Sequence, residues 1–123
     1  MAEAFANEMG EGRVRAWSAG VYPLGWVETN TRAVMAESGL NLDGQTSKGL
    51  ADVPLDQMDV VVEMGSEVFC HLLAGFKGRV VLWEIPDPFG GTLDRYRVTR
   101  DMIEPKVRDL LEEMKSLSEN PPL

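Results

Sequence analysis

Two short apolar runs constrain this chain most. They are "MDVVVEMG" at 58–65 and "RVVLWEI" at 79–85. A strand with one wet face alternates apolar and polar residues. A near-continuous apolar run instead marks a strand covered on both faces, the habit of parallel sheets flanked by helices. Between the runs, "SEVFCHLLAGF" at 66–76 has the spacing of an amphipathic helix, with Ser66 as its N-cap. The chain must therefore build a helix-covered parallel sheet or leave these runs in water.

The remaining segments extend the alternation. Residues 1–9 read as a helix with apolar spacing near three and four, closed by Gly10. "RVRAWS" at 13–18 alternates Val14, Ala16 and Ser18 against Arg13, Arg15 and Trp17, which predicts a short strand. "WVETNTRAVMAESGL" at 26–40 predicts a helix capped at Thr29 or Asn30 and stopped at Gly39. The segment 92–117 predicts a long terminal helix whose apolar face holds Leu93, Tyr96, Met102 or Ile103, Val107, Leu110, Leu111 and Met114. Pro105 lies inside it and should kink or divide it. The order is helix, strand, helix, strand, helix, strand, helix, which points to a three-layer α/β sandwich around a parallel sheet. One domain over 1–117 with a tail at 118–123 accommodates all of it. The chain opens on a helix with no strand ahead of it, so about three strands remain for the sheet.

Composition narrows the function classes. With 20 acidic and 12 basic residues the net charge is −8, which disfavours phosphate backbones and anionic lipid as partners. No run reaches the roughly 18 apolar residues of a membrane span, and residues 1–13 lack the pattern of a signal peptide. The single cysteine, Cys70, cannot form an internal disulfide, and a cytoplasmic setting fits best. One histidine and no CxxC leave no zinc site, and no cofactor is implied.

Chemistry concentrates in "PDPFGG" at 86–91. Ligands of open α/β sheets bind beyond the carboxyl ends of the strands, where this loop leaves the run 79–85. Pro86 and Pro88 stiffen the backbone on both sides of Asp87, and Gly90 and Gly91 permit the turn into the following helix. Phe89, if held near Asp87, would lower the local dielectric and raise the acid's pKa, as a general acid requires. The plainer reading is that Asp87 shapes a turn ahead of a helix.

"DPFGGTLDRYRVTRDMIEPKVRDLL" resembles the closing segment of the low-molecular-weight protein phosphatase family. That family includes tyrosine and arginine phosphatases, with arsenate reductases on the same fold. "MAEAF" is similar to its first helix, "WSAGVYP" to the strand and loop that follow, and "DVVVEMG" to its third strand. "MAESGLNLDGQTSKGL" is closest to the arsenate-reductase branch. The resemblance implies hydrolysis of phosphorylated protein through a cysteinyl-phosphate. A Cys-x5-Arg loop at the N-terminus of the first helix would cradle the phosphate, and Asp87 would be the acid. It also implies that Tyr22 and Trp26 lie in a loop walling the substrate cleft and, with Phe89, contact the substrate; the alternative for Tyr22 and Trp26 is packing in the core or on the surface.

The nucleophile has no match. In the family, a strand and the Cys-x5-Arg loop come directly before the helix that begins "MAEAF". The expectation is thus a chain short of that strand and inactive alone; a non-catalytic binding protein is the alternative, and an arsenate reductase a third reading. Position 76 is Phe, so Cys70 has no Arg at the required spacing, and it falls inside a predicted helix. Cys70 reads as a small buried hydrophobe and His71 as a satisfied or surface histidine. Arsenate reduction needs several cysteines, and only one is present. Arg95, Arg97 and Arg100 read as a solvated helix face, with Glu104 as a partner for Arg100, and Ser47 and Lys48 as ordinary loop residues. A central strand position left open would expose strand edges, and self-association through them is expected.

Overall fold

A computed structural model describes residues 1–19, 29–42, 44–45, 48–49, 52–64 and 76–119. Five main elements follow one another: α1 (Ala2–Met9), α2 (Thr29–Glu37), β1 (Val60–Met64), β2 (Arg79–Trp83) and α3 (Leu93–Glu119). A short 3-10 turn at Leu55–Gln57 precedes β1. The expected helix at 66–76, with Cys70 and His71, lies outside the described residues up to its last position, Phe76, as does the start of the helix expected at 26–40.

The two apolar runs do form a parallel pair, in register from Val60 opposite Arg79 to Met64 opposite Trp83. Pairing begins there because the Arg79 N–H donates to the Asp59 carbonyl at 3.1 Å. β2 stops earlier than the apolar run, since Pro86 has no N–H to offer and restricts Ile85. Val81 and Trp83 turn toward the core, whereas Val80 and Leu82 are exposed.

The predicted strand at 13–18 is not one: among the described residues the sheet has two strands, and 13–18 joins neither. The alternation was nonetheless real. The Arg15 guanidinium lies 5.0 Å over the Trp17 ring, as residues two apart do on one face of an extended run. Among the described residues it has no strand beside it. Ala16 instead exchanges two hydrogen bonds with the Asn7 side chain of α1, at 2.9 and 3.3 Å.

Ala4, Phe5, Val34, Met35, Leu42, Trp83, Tyr96, Ile103 and Val107 form one core. α3 supplies Tyr96, Ile103 and Val107 to it, one side of the helix at spacings of seven and four. Thr92 begins α3 as an N-cap, its hydroxyl accepting the Arg95 N–H at 3.3 Å. Pro105 does not divide α3, which runs unbroken through it. Pro105 and Asp101, whose carbonyl loses its helical donor there, both lie on the exposed side, so water can serve that carbonyl. α2 ends in a Schellman motif. Gly39 takes φ +79, its N–H donates to Ala36, and the Leu40 N–H reaches back to Met35.

α2 and α3 are joined by an ion cluster that the local pattern of α3 does not announce. Glu37 accepts two N–H groups of Arg97 and one of Arg100, between 2.7 and 3.1 Å. Arg100 also donates to the Val34 carbonyl at 2.9 Å and to Asp101. These arginines are therefore not a free solvated face, and Glu104 pairs with Arg108 rather than with Arg100. The hydrogen bonds from Arg97 and Arg100 hold the Glu37 carboxyl down to about 2. A depressed carboxyl stabilises the fold fully above its unfolded value near 4.5, and that stabilisation fades as pH falls toward about 2. Thermal melts between those limits should show wild type losing stability that Glu37→Gln lacks at every pH; parallel curves would refute the clamp.

Candidate active site

The carboxyl ends of β1 and β2 lie together, because Met64 and Trp83 are the last pair of the ladder. Asp87 leaves that edge four residues after β2. Its Oδ1 accepts the Phe89 N–H at 3.0 Å, an Asx turn that fixes the carboxylate over its own loop. The Gly91 N–H then donates to the Pro88 carbonyl at 2.8 Å, with Gly90 at φ +77 as a type II turn demands. The loop makes the turns that its prolines and glycines predict, and it delivers the chain directly to the cap at Thr92.

The expected apolar cover is not formed. Phe89 is 59% exposed, and Asp87 is itself exposed. The Asx turn points the Phe89 amide, not its ring, at the carboxylate. Tyr22 and Trp26 lie outside the described residues, so of the predicted site only the Asp87 loop can be placed.

A second polar centre sits at the opening turn of α1. Glu3 is only 8% exposed. Its Oε1 accepts the Ser18 N–H at 2.8 Å, the Ser18 hydroxyl at 3.3 Å and the Lys48 ammonium at 3.0 Å. The Glu3 carboxylate also suits the first turn of a helix, where the dipole favours negative charge. Lys48 is thus not an ordinary loop residue but one half of a largely buried ion pair. The available signal was Glu3 itself, a charge set inside the apolar run of α1. Removing one partner of such a pair strands the other. Lys48→Met should cost about 1–3 kcal/mol, since the Ser18 bonds remain to Glu3, and Glu3→Gln in the same chain should recover part of it. Denaturant unfolding of the single and double variants checks this; a silent Lys48→Met would show the pair to be dispensable.

Between the extended run 13–19 and β1 lies a cleft of about 640 Å3. Every residue of β1 lines it, Glu3 and Ser18 stand at its wall, and Val107, Leu110 and Met114 of α3 add apolar surface. Asp87 is not part of its described walls. Among the described residues no group of three or more His, Cys, Asp or Glu side chains could hold a metal ion. No helix among them is long and apolar enough to cross a membrane.

The sequence matches one family along nearly its whole length. The low molecular weight phosphotyrosine protein phosphatase family matches residues 1–120, and the chain belongs to that family. It is 30% identical over 114 residues to the glutaredoxin arsenate reductase of Synechocystis sp., an alignment covering 90% of this chain and 85% of the relative. It is 31% identical to the structure of an arsenate reductase from Archaeoglobus fulgidus, with a TM-score of 0.77 over 90% of this chain and 87% of the other. The arginine phosphatase YwlE from Geobacillus stearothermophilus shares the fold, with a TM-score of 0.84 at 23% identity, covering 99% of this chain and 88% of that one. The likeness to arsenate reductases thus spans most of the chain rather than its middle segment alone.

Proposed function

We propose that this chain is the acid-loop and helical part of a protein phosphatase, and that residues 1–123 do not turn over by themselves. In this reading a segment ahead of Met1 supplies a strand and a Cys-x5-Arg loop. The thiolate attacks phosphorus and the bond to the leaving oxygen breaks, while Asp87 gives that oxygen its proton. The Asp87 carboxylate then takes a proton from water as the water displaces the thiolate and releases phosphate. The observation that carries the reading is the cleft beside β1. It is bounded by an extended run on one side and a strand on the other, with the opening turn of α1 at its wall. A helix N-terminus stabilises both an anion and a thiolate, so a loop placed there would have the electrostatics the first step needs.

The test compares residues 1–123 with a loop-bearing protein, in which an apolar strand and a Cys-x5-Arg loop are joined ahead of Met1. The expected result is no turnover of an aryl phosphate by the former and thiol-dependent turnover by the latter. Activity in the short chain that disappears in Cys70→Ser would overturn the reading and make Cys70 the nucleophile. A loop-bearing protein that binds phosphate without hydrolysing its esters would favour a binding protein instead.

The names of the relatives favour a second reading, reduction of arsenate. Carrying two electrons to arsenic requires a pair of thiols to become a disulfide. Cys70 is the one cysteine of this chain, so the pair would be Cys70 and the loop cysteine. In the loop-bearing protein, arsenate reduction abolished by Cys70→Ser while ester hydrolysis persists would establish this branch. Hydrolysis without arsenate reduction would leave the phosphatase.

A further inference from the structure

We propose that Lys48 is a positioning residue for anion binding at the start of α1. By neutralising Glu3 it lets a second negative charge, a phosphate group, bind at that helix end. The inference rests on the proposed function, which brings phosphate and a thiolate to the N-terminus of α1.

A carboxylate is out of place there. Glu3 is the acid in the first turn of α1. The positive end of a helix dipole favours negative charge, and Glu3 already supplies it. A phosphate arriving at the same end meets that charge at close range. Repulsion between unit charges a few ångströms apart weakens binding by at least about tenfold. Salt screens exposed charges well and buried ones poorly. Glu3 is buried, so its field would persist.

Lys48 cancels that field. Its Nζ donates to Glu3 Oε1 at 3.0 Å, the same oxygen that accepts the Ser18 N–H and hydroxyl. Of these three donors Lys48 alone carries a charge. The Ser18 groups fix where the carboxylate sits, and the ammonium decides what a neighbouring anion feels. The Lys48 side chain is itself only 15% exposed, so the two charges form a nearly neutral unit out of water. Holding a lysine in one geometry costs side-chain freedom. An acid needed only for the helix dipole could stand in water without such a partner.

The Met1 amine, at the N-cap of α1, senses both charges. Burial pushes it below its ordinary value, Glu3 raises it and Lys48 lowers it. The two side chains act in opposite senses on a charge placed at the helix start.

Two measurements test the proposal. In residues 1–123, NMR titration of the Met1 amine should give a higher pKa in Lys48→Met and a lower one in Glu3→Gln. The double variant should return close to wild type. In the loop-bearing protein, the same variants are titrated with inorganic phosphate. Lys48→Met should bind at least about tenfold more weakly than wild type, and Glu3→Gln as tightly or more tightly. The double variant and Lys48→Arg, which keeps the charge, should stay within about threefold of wild type. Glu3→Gln and the double variant decide the matter even where Lys48→Met folds poorly. A purely structural role predicts a different order, with every variant weakened and the double variant weakened most. That order, or an amine indifferent to both substitutions, would overturn the proposal. Phosphate binding in the expected order without ester hydrolysis would sink the proposed function alone. Hydrolysis with all variants binding phosphate alike would sink this inference alone.

Discussion

Asp87→Asn in the loop-bearing protein is expected to lower kcat by about 10²–10⁴-fold, the range for loss of one positioned acid, with KM nearly unchanged. Asparagine is well suited to the test because its Oδ1 can still accept the Phe89 N–H that closes the Asx turn. The loop should therefore keep its shape, and the loss should report the proton alone. Leaving-group chemistry sharpens the result. An ester whose alcohol is already acidic needs little protonation as it departs, so the penalty should shrink on an activated aryl phosphate and grow on an alkyl one. An equal loss on both substrates, or none on either, would remove Asp87 from the proton transfer and return it to the plainer role of shaping a turn.

The largest effect on stability is expected at Phe5. Its side chain is 2% exposed, in the face of α1 that packs on α3. Truncating a buried phenylalanine costs about 3–5 kcal/mol, a large share of the roughly 5–15 kcal/mol that holds a domain together. Phe5→Ala should lower the melting temperature by on the order of 10–20 °C or abolish the cooperative transition. Glu8→Ala, on the exposed side of the same helix, should stay within about 0.5 kcal/mol of wild type. If the two variants melt alike, α1 is not part of the cooperative core. The same melts measure how firmly the chain holds itself together, and size-exclusion chromatography alongside them tests the expected self-association.

Local pattern carried much of the fold. The apolar runs became β1 and β2 because a continuous apolar strand has few other places to go, and the face of α3 followed from spacing alone. Gly39 ended α2 for the reason a glycine usually does. The departures share one physical origin: they depend on what lies across space. The run 13–18 has the alternation of a strand, but a ladder belongs to two chains of residues and not to one. Lys48 meets Glu3 from 45 positions away, and Arg97 meets Glu37 from 60. No window along the sequence contains both partners. The candidate site divides the same way. The turns of the Asp87 loop were legible in its prolines and glycines, whereas the exposure of the Phe89 ring was not, because adjacency in sequence says little about where a side chain packs.

The packing of α1 on α3 has a consequence for how the protein is made. α1 ends at Met9 and α3 begins at Leu93. At translation speeds of about 5–20 residues per second, the first helix leaves the ribosome roughly 5–20 s before its partner does. During that interval the face bearing Ala4 and Phe5 lacks the Tyr96, Ile103 and Val107 side of the core. The core can therefore close only once α3 has been made, and the apolar face of α1 must wait for it.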